Sequence, residues 1–245
     1  MSNIIIKDPN VIFTFYHIEK CAGTSLRFEL YNYFSQLYNK NLIFMPEVNN
    51  IGKHVNLTNN DYINIVRLGK EFINFINYKK IFLCHISCND DIFKLNPMFK
   101  ITCIRHPLTR VISHYNYFDK PLLKKEFYEL NDHEFNEWFK QKGNLTIFRL
   151  TNSHNNLKLA KQNLLKMNHV IMTHNYDHDI KILGNKLDDK FKRPFFYIKL
   201  KKNRNNNKKV FYHHKFIEKI LFKLKDEMEL YNFYKKCKRA FKKIA

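Results

Sequence analysis

The chain has 245 residues, 44 % of them apolar and 16 % aromatic. That is enough for one sizeable domain with a real core, and too apolar for a disordered chain. No run approaches about 18 uninterrupted apolar residues, so composition points to no transmembrane helix. The start, Met1 to Asn10, has no basic stretch leading into an apolar one. The reading is therefore of a protein without a signal peptide, and a cytoplasmic one. The formal charge is 43 − 22 = +21. Such a charge suits polyanionic partners, but Lys, Asn, Ile, Phe and Tyr are also the residues of A/T-rich codons, so charge alone decides nothing. The five cysteines, Cys21, Cys84, Cys88, Cys103 and Cys237, are an odd number in a chain of this length. This argues against a disulfide scaffold and for a reducing compartment.

In chain order, short β-rich runs are expected as strands at 11–16, 80–85, 100–105, 169–173 and 194–200. Between them lie helical patterns. After Gly23 the apolar positions Leu26, Leu30, Tyr33, Phe34 and Leu37 follow the i, i+4, i+7, i+8 rule. Residues 61–78, 107–118, 132–140 and 156–167 also read as helices. The last expected helix is 213–236, with Ile217, Ile220, Leu221, Leu224, Met228 and Tyr231 in one stripe. Residues 199–210, rich in Lys and Asn, read as a mobile basic loop, and 235–245 as a basic tail. Strands alternating with helices predict a single α/β domain over 1–245, with a central, mostly parallel sheet flanked by helices. Ligands in such folds sit at the carboxyl ends of strands. Tyr16/His17, His85 and Arg105 each fall at such an end.

Two stretches carry chemistry. In "YHIEKCAGTSLR", Tyr16 to Arg27, a strand turns into a helix beside a lysine. The helix start presents unpaired N–H groups and the positive end of a dipole. Gly23 is expected to let the backbone approach an anion, Thr24 and Ser25 add hydroxyls, and Lys20 adds a point charge. The nucleotide-triphosphate pattern G-x-x-x-x-G-K-[ST] is absent, because here the lysine precedes the glycine. In "ITCIRHPLTRVISHYNYF", Ile101 to Phe118, a strand ends in Arg105 and Pro107 opens a helix. Arg105 can fork onto a phosphate and Ser113 can donate a hydroxyl. Arg110, on another helical face, reads as a structural salt-bridge partner. Each stretch alone is also compatible with an ordinary strand–helix unit.

Together the two stretches resemble the sulfotransferases that use 3′-phosphoadenosine-5′-phosphosulfate (PAPS), and within them the carbohydrate sulfotransferases of the heparan/chondroitin type. "HIEKCAGTSL" is similar to their H-I-P-K-T-x-G-T-S-L signature, and "CIRHPLTRVISHYNYF" to R-x-P-x-x-R-x-x-S-x-Y. Weaker similarities follow in order. "IFLCHIS" resembles a G-H segment and "GNLTIFRLTN" a downstream acceptor-side segment. "AKQNLLKMNHVIMTHNYDHDIKIL" resembles a helix–strand–helix unit, and "MELY" the terminal D-x-x-L-Y helix. The resemblance implies a P-loop-like turn, from Lys20 through Cys21, Ala22 and Gly23 to Thr24 and Ser25, that holds the 5′-phosphosulfate. Arg105 and Ser113 would hold the 3′-phosphate, and a loop with Lys201 and Arg204 would close over the nucleotide. Lys20 and His85 would be catalytic, with His85 as general base and no metal required. The acceptor implied is a hydroxyl, on a carbohydrate and possibly an anionic one.

The chemistry of these residue types agrees. The acceptor hydroxyl must lose a proton, which suits a histidine titrating near neutrality. The leaving phosphate must gain charge stabilisation, which suits a lysine. Three positions depart from the family pattern. Glu19 stands for Pro and must point away from the anion or pair with a cation. Cys21 stands for Thr, and Cys84 for the Gly before the histidine. A catalytically degenerate copy is one alternative. A basic nucleic-acid-binding protein is another, although no zinc-finger, RNP or basic-zipper signature is present and no specific nucleic acid is expected. Cys84, His85 and Cys88 lack the second ligand pair of a structural zinc site.

Overall fold

The computed structural model describes residues 12–45, 79–85, 98–195 and 213–244. The expected helix at 61–78, the loop at 199–210 with Lys201 and Arg204, Cys88 and most of the expected strand at 194–200 lie outside the described residues.

The short apolar runs become strands because both faces of each are covered. β1 (Phe13–Tyr16), β3 (Ile81–Cys84) and β5 (His169–Met172) are buried at every position, the pattern of a parallel sheet packed on both sides. With β2 (Ile43–Phe44) and β4 (Phe99–Ile104) they form one sheet in the order β2-β3-β1-β4-β5. Every pairing in it is parallel. The fold is α/β, as the alternation of elements predicts. β1 is central, with β3 on one side and β4 on the other. The register places Tyr16 opposite Cys84 and opposite Thr102. His17 and His85 therefore leave the sheet at one level. β4 runs on through Ile104, so Arg105 stands about 7–10 Å further along the strand direction, at roughly 3.3 Å per residue.

The helices pack by their predicted faces. α1 (Gly23–Leu37) buries Leu26, Leu30, Tyr33 and Phe34, and Phe34 meets Phe13 of the sheet at 4.7 Å between rings. α2 (Pro107–His114) stops short of its expected end. Its last turn widens into a π-turn at Tyr115–Asp119 and continues as the single turn α3 (Lys120–Leu123). α4 (Asp132–Lys142) starts from a capping box between Asn131 and Glu134, which satisfies two orphan donors reciprocally. α5 (Leu145–Thr151), α6 (Leu157–Leu165) and α7 (Tyr176–Phe191) follow around β5. The helix expected at 213–236 is two helices, α8 (His214–Lys223) and α9 (Lys225–Ile244), parted at Leu224. The break divides the apolar stripe. Ile220 and Leu224 join a second cluster with Val111, Tyr115, Phe127 and Trp138, whereas Leu230 and Tyr231 join the core of the sheet. One straight helix cannot present one face to both cores. No helix among the described residues is long and apolar enough to cross a membrane.

Candidate active site at the carboxyl edge of the sheet

The turn after β1 is wound tightly by two residues other than glycine. Lys20 and Ala22 both have left-handed backbones, at φ 62° and 61°, a conformation that non-glycine side chains resist. The Cys21 N–H between them donates to the Ile18 carbonyl at 3.3 Å. It thus belongs to the turn rather than to an incoming anion. The Cys21 thiol is fully buried, and burial pushes it up to about 12. It is a wall of the turn, not a nucleophile. Ala22 caps α1 without a side-chain hydrogen bond, and the first turn of α1 holds no acidic residue. The helix start is left open to an anion. The side chains of Thr24 and Ser25 lie outside the described set.

Gly23 is explained by its neighbour. A Cβ there would sit 2.0 Å from Cδ2 of His17. No positive φ is involved, so the expectation of conformational freedom is replaced by one of space. The glycine admits a buried imidazole against the loop. His17 stacks on His85 at 4.0 Å between rings.

His85 is held from several directions. Its Nδ1 lies 2.9 Å from the His17 carbonyl and 3.6 Å from Oε1 of Glu19. Both are acceptors, which favours the tautomer with the proton on Nδ1 and the lone pair on Nε2. Arg149 on α5 donates through Nε to Glu19 Oε2 at 3.2 Å and through Nη1 to the His85 carbonyl at 3.0 Å. Its Nη2 pairs with Glu19 Oε1. Glu19, the charge that seemed misplaced beside an anion site, is therefore paired with a cation. Burial pushes its carboxyl up, but the Arg149 charge and then His85 outweigh this and hold it at about 2. Burial, with the Arg27 and Arg149 charges, holds His85 down at about 4 against the upward pull of Glu19. The imidazole is neutral at neutral pH, as a base must be, but burial takes it below the near-neutral range expected of the residue type.

The other flank is cationic. Arg105 donates through Nη1 to the Lys20 carbonyl at 3.1 Å and through Nε to Thr109 Oγ1 at 3.1 Å. Its remaining donors are unspent on these two bonds. The Lys20 ammonium lies 3.7 Å above the ring of Tyr117, which projects from the π-turn and is 56 % exposed. Burial, then the Arg105 charge, lowers Lys20 to about 8. Ser113 is half-buried on α2. Ile104, Arg105, Pro107, Glu227 and Tyr231 line a small hollow at the end of β4. Arg110 is fully buried and lies 3.8 Å from Oε2 of Glu227 on α9, with Nη2 bonded to the Gly143 carbonyl. Its predicted place in a structural ion pair is the one it occupies.

Lys20, Gly23, His85 and Arg105 are thus brought to one edge of three adjacent strands. Sequence reasoning missed three contributors. Arg149 sits 130 residues from Glu19, and the only hint of it was that Glu19 needed a cation. His17, placed by the sequence at a strand end but given no role there, stacks on the candidate base. Tyr117 carries no local signal at all. Compared with protein-family models the chain matches none, and it matches no curated protein at a significant level.

Proposed function

We propose that this chain is a sulfotransferase that moves a sulfuryl group from PAPS to an acceptor hydroxyl, with carbohydrate as the acceptor class. The observation that carries the proposal is the bonding of the site. His85 is tied to the carbonyl of His17, and Arg105 to that of Lys20. Candidate base, phosphate-type loop and phosphate-binding arginine thus form one hydrogen-bonded unit at the ends of three neighbouring strands. The residue set suits the nucleotide. An uncapped helix start, Lys20 and the spare donors of Arg105 offer charge-assisted bonds to two separate anionic groups.

When bound, the donor supplies an activated sulfuryl group on a phosphate leaving group. Lys20 and the helix start from Ala22 to Ser25 would hold its 5′ end, and Arg105 with Ser113 its 3′-phosphate. His85 takes the proton of the acceptor hydroxyl at Nε2, while its Nδ1–H stays on the His17 carbonyl. Lys20 supplies positive charge where negative charge develops.

The test is thermal stabilisation by 3′-phosphoadenosine 5′-phosphate, with ATP and AMP as controls, on the natural chain and on Arg105→Ala. Saturation at about 100 times Kd adds about 2.7 kcal/mol to stability. The shift is expected to be selective for the 3′-phosphate and lost in the variant. A second reading, nucleotide binding without turnover, is favoured by the position of the Lys20 ammonium over Tyr117. Selective stabilisation with no sulfuryl transfer to a panel of sugars would select it. No selective stabilisation would overturn both.

A further inference from the structure

The most heavily bonded feature of the site is one that the resemblance does not supply, because the family pattern has proline where this chain has Glu19. The Glu19 carboxylate reaches two groups at once. One of its oxygens lies 3.6 Å from Nδ1 of His85, and the other accepts from Arg149 Nε at 3.2 Å. Arg149 closes the ring by donating to the His85 carbonyl at 3.0 Å. The side chains of His85, Glu19 and Arg149 are only 15 %, 17 % and 19 % exposed. An ion pair so enclosed is costly to desolvate unless it is fully bonded, and here each of its members also reaches the one histidine.

We infer that Glu19 and Arg149 form a positioning clamp for His85, in which Glu19 supports the Nδ1–H tautomer and the imidazolium formed when Nε2 takes a proton, and Arg149 holds Glu19 in place. This inference rests on the proposed function in that it makes His85 the base. The step it assists is balanced. The acceptor O–H bond breaks, its proton goes to Nε2 and its oxygen forms the new bond to sulfur. The bridging S–O bond breaks with its electron pair on the nucleotide phosphate. Among the described residues, the charged and titratable groups that act on His85 are Glu19 of the turn, His17 at the end of β1, Arg27 on α1 and Arg149 on α5. Since Glu19 titrates near 2 and His85 near 4, an acidic transition near 4 reports the histidine.

Two readouts on the full chain test the clamp. The first is the His85 imidazole titration and tautomer by NMR without donor or acceptor, assigned with His85→Gln. The natural chain is expected to carry the proton on Nδ1. Glu19→Gln is expected to move the midpoint down and Arg149→Gln to move it up, each by on the order of 1 unit. Arg149→Lys and Glu19→Asp, which keep the charges, are expected to leave it near the natural value. The second readout is the pH profile of sulfuryl transfer. Its acidic limb should follow the same displacements, with kcat reduced about 10–100-fold in the Gln variants and KM little changed. A merely structural pair would lower stability and leave the midpoint in place. An unmoved midpoint, or an Nε2–H tautomer in the natural chain, overturns the inference. The tautomer needs neither clamp variant and is read even if Glu19→Gln and Arg149→Gln fail to fold. Displaced midpoints without sulfuryl transfer would retire the sulfotransferase reading alone. Transfer with unmoved midpoints would retire the clamp alone.

Discussion

The two flanks of the turn after β1 solve opposite problems. On the β3 side, His85 is enclosed by Glu19, Arg149 and His17, and the Glu19–Arg149 ion pair is already in place beside it. On the β4 side, Lys20 and Arg105 stand together. The first cause lowering each is burial, and each is lowered further by a neighbouring arginine, Lys20 by Arg105 and Arg105 by Arg110. The first arrangement orients the imidazole without a ligand, which the proposed role of His85 needs, since a base must have its tautomer fixed before an acceptor arrives. The second is unbalanced without one. Two half-buried cations are an expense in the free protein, and an anion offsets it. Preorganised positive charge is where catalytic stabilisation of a leaving anion originates, so the asymmetry of the two flanks is what the proposed mechanism would draw on.

The division of labour can be broken from either side, and the largest expected effect is on the enclosed flank. Replacing His85 by Ala removes the proposed base and is expected to lower kcat by about 10²–10⁴-fold. Binding of 3′-phosphoadenosine 5′-phosphate, measured by calorimetry, should stay within a factor of a few. Comparable losses of both would place His85 in the nucleotide site and erase the distinction between the flanks. On the open flank, Lys20→Met is expected to cost about 10²–10³ in kcat, the usual scale for one charge-stabilising donor. Arg105→Ala is expected to cost about 1.5–3 kcal/mol of nucleotide affinity, the worth of a charged hydrogen bond. That loss should be confined to nucleotides with a 3′-phosphate, compared by competition. Gly23→Ala sharpens the contrast through packing. The new methyl must displace the His17 ring, so stability in urea should fall by about 1–3 kcal/mol, and the stacked partner His85 should shift with it in NMR spectra.

Much of this was legible because it is local. "VIFTFY" and "ITCI" are apolar enough on both faces to announce buried strands, and α1 declares its inner face through Leu26, Leu30 and Phe34. The lysine and glycine of the turn, Arg105 and His85 were readable because each lies within a few residues of a strand end. What escaped is held over long distances. α5 carries no helical period, and its start is capped by Glu227, which accepts from the N–H groups of Thr146 and Ile147 at 2.6 and 3.1 Å across 81 and 80 residues. No window of sequence contains that cap. β2 is two residues long, below any periodicity. The π-turn at Tyr115–Asp119 interrupts a sequence whose period is helical, and with it went the position of Tyr117 over Lys20. The reason for Gly23 was misread for the same cause. A sequence shows that a glycine is present but not which ring leans on it.

The smallest effect is the most direct measure of the unbalanced flank. Lys20 has an ordinary value of 10.5 and is lowered to about 8 in the folded chain by burial and by Arg105. Below pH 8 it is charged in both folded and unfolded chains, and the folded state bears the full cost of that charge. As pH rises from about 8 to 10.5 the folded chain releases its proton first. The unfolded state then binds more protons, and stability rises. The natural chain should therefore gain stability across this window relative to Lys20→Met, measured as the urea midpoint at several pH values. The gain should be small, because Lys20 is partly exposed and water screens it. Saturating 3′-phosphoadenosine 5′-phosphate should abolish it, since an anion beside Lys20 raises its pKa back toward the unfolded value. A difference that survives the nucleotide would mean that the anion sits elsewhere, and that the cations of this flank are not held apart for it.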